Sequence, residues 1–303
     1  MKPIAGLGLY AVILAAVFGV GTAAGALVGP LDTEQVEHGA SHSGGAAAGG
    51  EHDADPHSGD AAGSSGTAAD GLAASRDGYA LRLDASALTA GTPGILAFTI
   101  FEGDRALTSY DATHTKELHL VVVRRDLTGF QHAHPERDET GRWSTLLTVP
   151  EAGQYKVFAD FTPRGRSPIV LAGELAIAGS FVPRPLPPPS GAARVDGYDV
   201  AVTVVAGAIT ELRFTVTRGG QPVTDLEPYL GARGHLVALR ADDLAYLHVH
   251  PVDADAGGDV SAGPALTFAA DVPSSGIYRL YLGFRHAGAV HTAAMTATIE
   301  DTR

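Results

Sequence analysis

Beyond residue 76, the chain runs in short stretches that alternate apolar and polar residues with a period of two or are rich in β-branched residues, each closed by turn residues such as Gly, Pro, Asp and Ser. ALRLDA, GILAFTIF, LHLVVVRR, STLLTV and QYKVFADF come first; DVAVTVV, LRFTVTR, GHLVALR, LTFAADV and IYRLYLGF follow. Side chains two apart on a strand share a face, so these runs predict strands, and no convincing amphipathic helix interrupts them. Several strands at regular spacing predict an all-β fold built from antiparallel β-sandwiches of the immunoglobulin-like or cupredoxin-like kind.

The pattern is written twice. DGY at 77–79 returns at 196–198, and a gap-free register follows at a constant offset of 116 (214 − 98). Phe98-Thr99-Ile100 becomes Phe214-Thr215-Val216, and His119-Leu120-Val121 becomes His235-Leu236-Val237. Arg124, Asp126 and Phe130 become Arg240, Asp242 and Tyr246, and His132-Ala133-His134-Pro135 becomes His248-Val249-His250-Pro251. PEAGQYKVFADF from Pro150 matches PSSGIYRLYLGF from Pro273 at an offset of 123 (273 − 150). The second copy therefore carries extra residues in the loop VDADAGGDVSAG, and loops absorb insertions where strands do not. The tyrosine of the shared PxxGxY element is predicted to pack inward at the start of a late strand.

Two sandwich repeats are thus expected at 76–180 and 194–303, separated at 181–193 by FVPRPLPPPSGAA, a stiff polyproline-like spacer. Residues 31–75 are dominated by Gly, Ala, Ser, Asp and His and hold too little apolar bulk to offset the entropy of folding, which predicts a disordered linker. Its His38, His42, His52 and His57, beside Glu37, Glu51, Asp53 and Asp55, suit either a solvated tether or weak metal capture. Residues 1–30 place Lys2 before an uncharged stretch long enough to span a bilayer, where about 20 apolar residues suffice. A single-pass anchor with its N-terminus in the cytoplasm and both repeats outside is expected; the alternative is a signal peptide cleaved near Ala26, after the small-x-small pattern at 24–26.

Composition narrows the chemistry. The absence of cysteine excludes disulfide frameworks, thiolate zinc sites, iron–sulfur clusters and cysteine nucleophiles. With 34 acidic against 21 basic side chains, net charge −13, there is no basic footprint for nucleic acid. Two methionines make a soft thioether site improbable, so a bound metal would rest on histidine and oxygen.

Histidine supplies the candidate site. His132 and His134 share a strand face, as do His248 and His250, and a hairpin turn centred on Asp126-Leu127 would set His119 directly across from His134. The same spacing relates His235 to His250, so one three-imidazole site per repeat is expected: His119, His132 and His134, then His235, His248 and His250. Three neutral imidazoles with an open fourth position suit Zn(II) or Cu(II). His114 is a further ligand candidate in the first copy; Leu230 replaces it in the second, where His286 and His291 are candidates instead. A purely structural use of the histidines, hydrogen-bonded within a sandwich, is the alternative. Arg124 with Asp126 and Arg240 with Asp242 are expected to pair or to shape the turn at the hairpin ends.

HTKELHLVVVRRDLTGFQHAHP at 114–135 resembles the motif of a family of exported or membrane-anchored bacterial proteins, common in actinobacteria, built from one or two β-sandwich modules. The second copy, GARGHLVALRADDLAYLHVHP, lacks the leading histidine and lysine. The resemblance implies heavy-metal or copper handling. The resulting expectation is a non-enzymatic, membrane-tethered protein that captures or buffers Cu(II) or Zn(II) outside the cytoplasm, with a metal-transport partner in the envelope, and whose affinity falls below about pH 6 as imidazoles protonate. The competing readings are an envelope scaffold or interaction module and, as a metal-dependent enzyme, a site activating water, for which the repeated motif shows no placed general base.

Overall fold

In the computed structural model, which describes residues 70–84, 88–252 and 265–301, each of the runs named above contributes a strand. Among the described residues there is no helix, and so none long and apolar enough to cross a membrane. The anchor or signal segment, the linker up to residue 69 and the inserted loop at 253–264 lie outside the described residues.

The main strands of the first repeat are β1 (Tyr79–Leu83), β2 (Pro93–Glu102), β3 (Leu118–Arg124), β4 (Gln131–Ala133), β5 (Glu136–Arg137), β6 (Arg142–Thr148), β7 (Gly153–Pro163) and β8 (Ile169–Ile177). Those of the second are β9 (Tyr198–Val205), β10 (Thr210–Arg218), β11 (Gly234–Arg240), β12 (Tyr246–Leu247), β13 (Val249–Pro251), β14 (Ala265–Ala270), β15 (Gly276–His286) and β16 (Ala289–Ile299). In the first repeat one sheet runs β1-β2-β6-β5 and the other β8-β7-β3-β4; in the second they run β9-β10-β14-β13 and β12-β11-β15-β16, all antiparallel.

Alternation builds each core. Leu81, Leu96, Phe98, Ile100 and Trp143 from one sheet meet Leu120, Val122, Tyr155, Val157 and Phe161 from the other. Val200, Leu212, Phe214 and Phe268 meet Leu236, Ala238, Tyr278, Leu280 and Leu282 in the second repeat. The PxxGxY tyrosines are buried, and each hydroxyl donates back to a carbonyl four residues upstream, Tyr155 to Glu151 and Tyr278 to Ser274, both at 2.8 Å.

The run LHLVVVR is buried at all seven positions because β3 is covered on both faces. Leu118, Leu120 and Val122 enter the first core, while Val121 and Val123 face outward with Phe158, Val170 and Ala172. There they pack against Val237, Leu239, Leu244, Tyr246 and Tyr281 of the second repeat. The packing follows a pseudo-twofold pattern. Phe130 stacks on Tyr281 at 3.9 Å between centroids, and their counterparts Tyr246 and Phe158 meet at 5.6 Å, the reciprocal contact an isologous interface requires. Tyr281 also donates its hydroxyl to the Leu127 carbonyl at 2.7 Å, tying the buried hydrogen-bonding groups of the seam.

Two segments clamp this seam. Asp70 pairs its backbone with Tyr246, while Gly71 N–H donates to Val170, so a short strap touches both repeats. Gly71 has φ +68°, and a Cβ there would lie 2.8 Å from the Phe158 ring, which leaves glycine as the residue that fits. The proline-rich segment does not stand off as a spacer: Arg184 N–H donates to Asp126 at 2.9 Å, Phe181 lies against the Arg124 guanidinium, and Leu186 packs into the seam.

Arg124 and Asp126 pair at 2.8 Å, as expected, and both side chains are buried. Burial pushes the Asp126 carboxyl up, but hydrogen bonds from Arg124, Thr128 and Arg184 prevail and hold it down at about 2. In the second copy Arg240 pairs with Asp243, not Asp242. The turn is rearranged: Leu244 there, rather than residue 243, takes the left-handed conformation of Leu127, which moves the matching carboxylate by one position.

Replacing Tyr281 by Phe keeps the stack on Phe130 but leaves the buried Leu127 carbonyl unpaired. Urea denaturation should show a loss of about 1–3 kcal/mol, and an unchanged midpoint would contradict the seam's dependence on that bond.

Candidate metal centre

His119 is the polar member of the outward-facing set on β3, so its imidazole lies in the seam, only 3% exposed. β4 pairs Leu120 with Ala133 and Val121 with His132, a register that carries His134 to the position across from His119. Opposed residues share a face, so His132 and His134 reach the same side. His235, the counterpart of His119 on β11, arrives from the other repeat.

The result is one cluster spanning the two repeats. The ligand atoms of His119, His132 and His235 all lie within 4.8 Å of one another. The His119 ring stacks on that of His235 at 5.1 Å, and His132 and His235 are 4.7 Å apart. His134 stands 4.8 Å from His132 and 5.1 Å from His119, with its Nε2 buried and unpaired. His114 closes the group, 5.5 Å from His235 and 6.0 Å from His119.

The expected second triad does not assemble. β11 and β12 keep the register, pairing Ala238 with Leu247, but the chain then crosses to the other sheet, where Val249, His250 and Pro251 pair with β14. In the first repeat the chain stays on β3 through Ala133 and crosses only before Glu136. His248 is thereby drawn to Asp70 of the strap at 2.6 Å, and His250 is exposed. His286 and His291 gather instead around Tyr198: His286 bonds its hydroxyl at 2.6 Å and Asp225 at 3.1 Å, and His291 bonds Asp196 at 2.8 Å.

Local contacts orient the imidazoles. His119 Nε2 lies 2.9 Å from the Thr113 carbonyl, an acceptor only, so Nε2 carries the proton and the Nδ1 lone pair faces His132 Nε2 at 3.1 Å. A carbonyl that fixes the tautomer in this way is the usual support of a metal-binding histidine. His114 and Thr115 occupy a two-residue turn between Thr113 and Lys116, with φ +49° and +69°. A β-branched residue is strained there, and the second copy places Gly231 at the same point of its turn.

One carboxylate escaped sequence reasoning. Asp160 pairs across the ladder with His119, on the same face, and hydrogen-bonds to the buried Tyr246 hydroxyl. Burial, then the Asp160 charge, raises that phenol well above its ordinary value. In the second copy the residue across from His235 is Gly283. The repeat alignment itself held the signal, since Asp160 and Gly283 are the point at which YKVFADF and YRLYLGF differ most in chemistry.

Burial, reinforced by the neighbouring imidazoles, holds His132 and His235 well below the ordinary histidine value and His134 at about 4. The unfolded chain therefore protonates these groups first, so stability is full above about pH 6.5 and declines as pH falls toward the folded values. The melting temperature should drop between pH 7 and 4.5, and His134→Gln should flatten that slope. An equal slope in both chains would show that His134 is not held neutral by the fold.

Residues 74–171 and 193–301 each match one family model, described as a domain of unknown function (DUF8832). No match was found among curated proteins. Among solved structures, the Escherichia coli adhesin FdeC is similar at 14% identity over 74% of this chain and 65% of its own, with a TM-score of 0.26. A Corynebacterium diphtheriae protein described as membrane anchored is similar at 9% identity over 75% of this chain and 59% of its own, with a TM-score of 0.24. This chain thus spans somewhat under two thirds of the length of either protein.

Proposed function

The chain belongs to the DUF8832 family in both of its halves, and on that footing we propose that it is a non-enzymatic metal-binding protein of the cell envelope, holding one Zn(II) or Cu(II) between its repeats. The observation that carries this reading is the convergence of the His119, His132 and His235 ligand atoms within 4.8 Å, two from one repeat and one from the other. Nitrogen donors held neutral by burial suit these borderline ions, because binding need not displace protons. A soft Cu(I) site has no support here: there is no cysteine, and Met295 is buried in the second core.

His134 and His114 stand next to the triad as further ligands, and Asp160 as a nearby carboxylate. The apolar stretch at 1–30 supports tethering at the membrane, which would set both repeats outside the cytoplasm. Within the sandwich class, we infer the immunoglobulin-like kind: the strand orders β1-β2-β6-β5 and β8-β7-β3-β4, with Tyr155 and Tyr278 bonded back to their own corners, match that plan.

Calorimetric titration of the full chain with Zn(II) and with Cu(II) tests the reading. A chain carrying His132→Ala and His235→Ala should bind one equivalent fewer than the parent, while His248→Ala with His250→Ala should bind as the parent does. The linker histidines are common to all three chains and cancel. Equal stoichiometry in the parent and the first variant would refute the site and leave the histidines a structural role.

A further inference from the structure

A dipositive ion held by neutral imidazoles brings its whole charge into the seam, and taking an uncompensated charge out of water is costly. Lys116 adds to that field, its ammonium acting on His134. The centre therefore calls for an anion. Of the described side chains that β3, β4, β7, β11 and β15 direct into the seam, one is acidic: Asp160, paired directly across the ladder from His119. Side chains so opposed share a face, with Cβ atoms about 4.5–5.5 Å apart.

Asp160 is held from the other repeat. The Tyr246 hydroxyl, on β12, bonds its carboxylate, and burial keeps that phenol protonated, so the hydroxyl is the donor. The Tyr246 backbone is itself fixed, its N–H donating to the Asp70 carbonyl at 2.8 Å, and its ring packs on Phe158. The two repeats treat these positions as a unit. Gly283 stands where Asp160 would recur and Phe130 where Tyr246 would, so one side of the seam has both the carboxylate and its hydroxyl and the other has neither. A ring kept for packing alone needs no hydroxyl, as Phe130 against Tyr281 shows. A carboxylate that accepts one hydrogen bond keeps lone pairs for a further partner.

We propose that Asp160 is the anionic group of the metal centre, balancing the charge of a divalent ion bound by His119, His132 and His235, and that Tyr246 is the positioning residue that holds its carboxylate in place. The proposal rests on the metal-binding reading above. It makes the centre selective by charge, because the attraction to a carboxylate scales with the charge of the ion and is greater for a divalent ion than for a monovalent one. It also gives the difference between Asp160 and Gly283 a use that neither sheet pairing nor core packing requires.

Competition titration of Zn(II) into the full chain and into its Asp160→Asn and Tyr246→Phe variants tests this, together with azide titrated into the Co(II)-loaded chains, whose visible spectra report a newly bound anion. Asp160→Asn keeps the shape and an acceptor for the hydroxyl but removes the charge. It should bind as many Zn(II) equivalents as the parent with affinity lowered about 10–100-fold, and Tyr246→Phe should lower it about tenfold. Azide should bind the Asn variant more tightly than the parent, because an external anion restores the missing charge, and should bind Tyr246→Phe, which keeps the carboxylate, much as it binds the parent. An unchanged Zn(II) affinity in Asp160→Asn overturns the proposal, as does a loss with no gain in azide binding, the result a merely structural role would give. Should Asp160→Asn not fold, an unchanged Zn(II) affinity in Tyr246→Phe overturns it. If the parent holds no more Zn(II) than the chain carrying His132→Ala and His235→Ala, the metal reading fails and this proposal with it.

Discussion

The face-to-face burial of two sheets, Val121, Val123 and Phe158 on one side and Val237, Leu239 and Tyr281 on the other, governs both the architecture and the histidine geometry. An outer sheet face in a lone sandwich meets water, and polar residues normally occupy it. Here both repeats place apolar residues on that face, so each covers the other's surface. His119 and His235 sit in line with those valines on the same strands, and their burial follows from the same packing. Parting the repeats would expose the apolar seam and separate His235 from His119 and His132 in one step.

Duplication supplied two equivalent surfaces, but the seam is not used symmetrically. His119 and His235 stack close to one another from the two repeats. His132 joins them, whereas its counterpart His248 is held by Asp70 on the strap. Asp160 is answered by Gly283, and the strained His114-Thr115 turn by Leu230-Gly231. These differences leave more of the polar groups at the seam on the first repeat. The result is one crowded group of imidazoles at the seam where two equivalent triads would have been symmetric.

Neutral imidazoles are what such a location tolerates. Charging one of them would bury a cation among its own kind, and burial together with the adjacent rings opposes it. Hydrogen bonds do the remaining positioning, with the Thr113 carbonyl selecting the His119 tautomer and the ladder register aligning His132.

Much of this was readable from the residues alone. Period-two alternation determined the strands, the two offsets determined the duplicated plan, and the spacing from His119 to His134 determined a hairpin register that brings three imidazoles to one face. Those features are local or depend on a single ladder, where side-chain period and turn position leave little freedom. The unbroken LHLVVV also carried a trace of the seam, since a strand with one wet face would alternate. What the tertiary structure alone decided was the partner of each outward face and the residue at which the chain leaves one sheet for the other. The crossing after Leu247, against that after Ala133, removes His248 and His250 from the site although their sequence spacing matches the first copy. Such a crossing depends on the ladders available to it from distant strands and on the strap at Asp70, and no spacing within the motif encodes either.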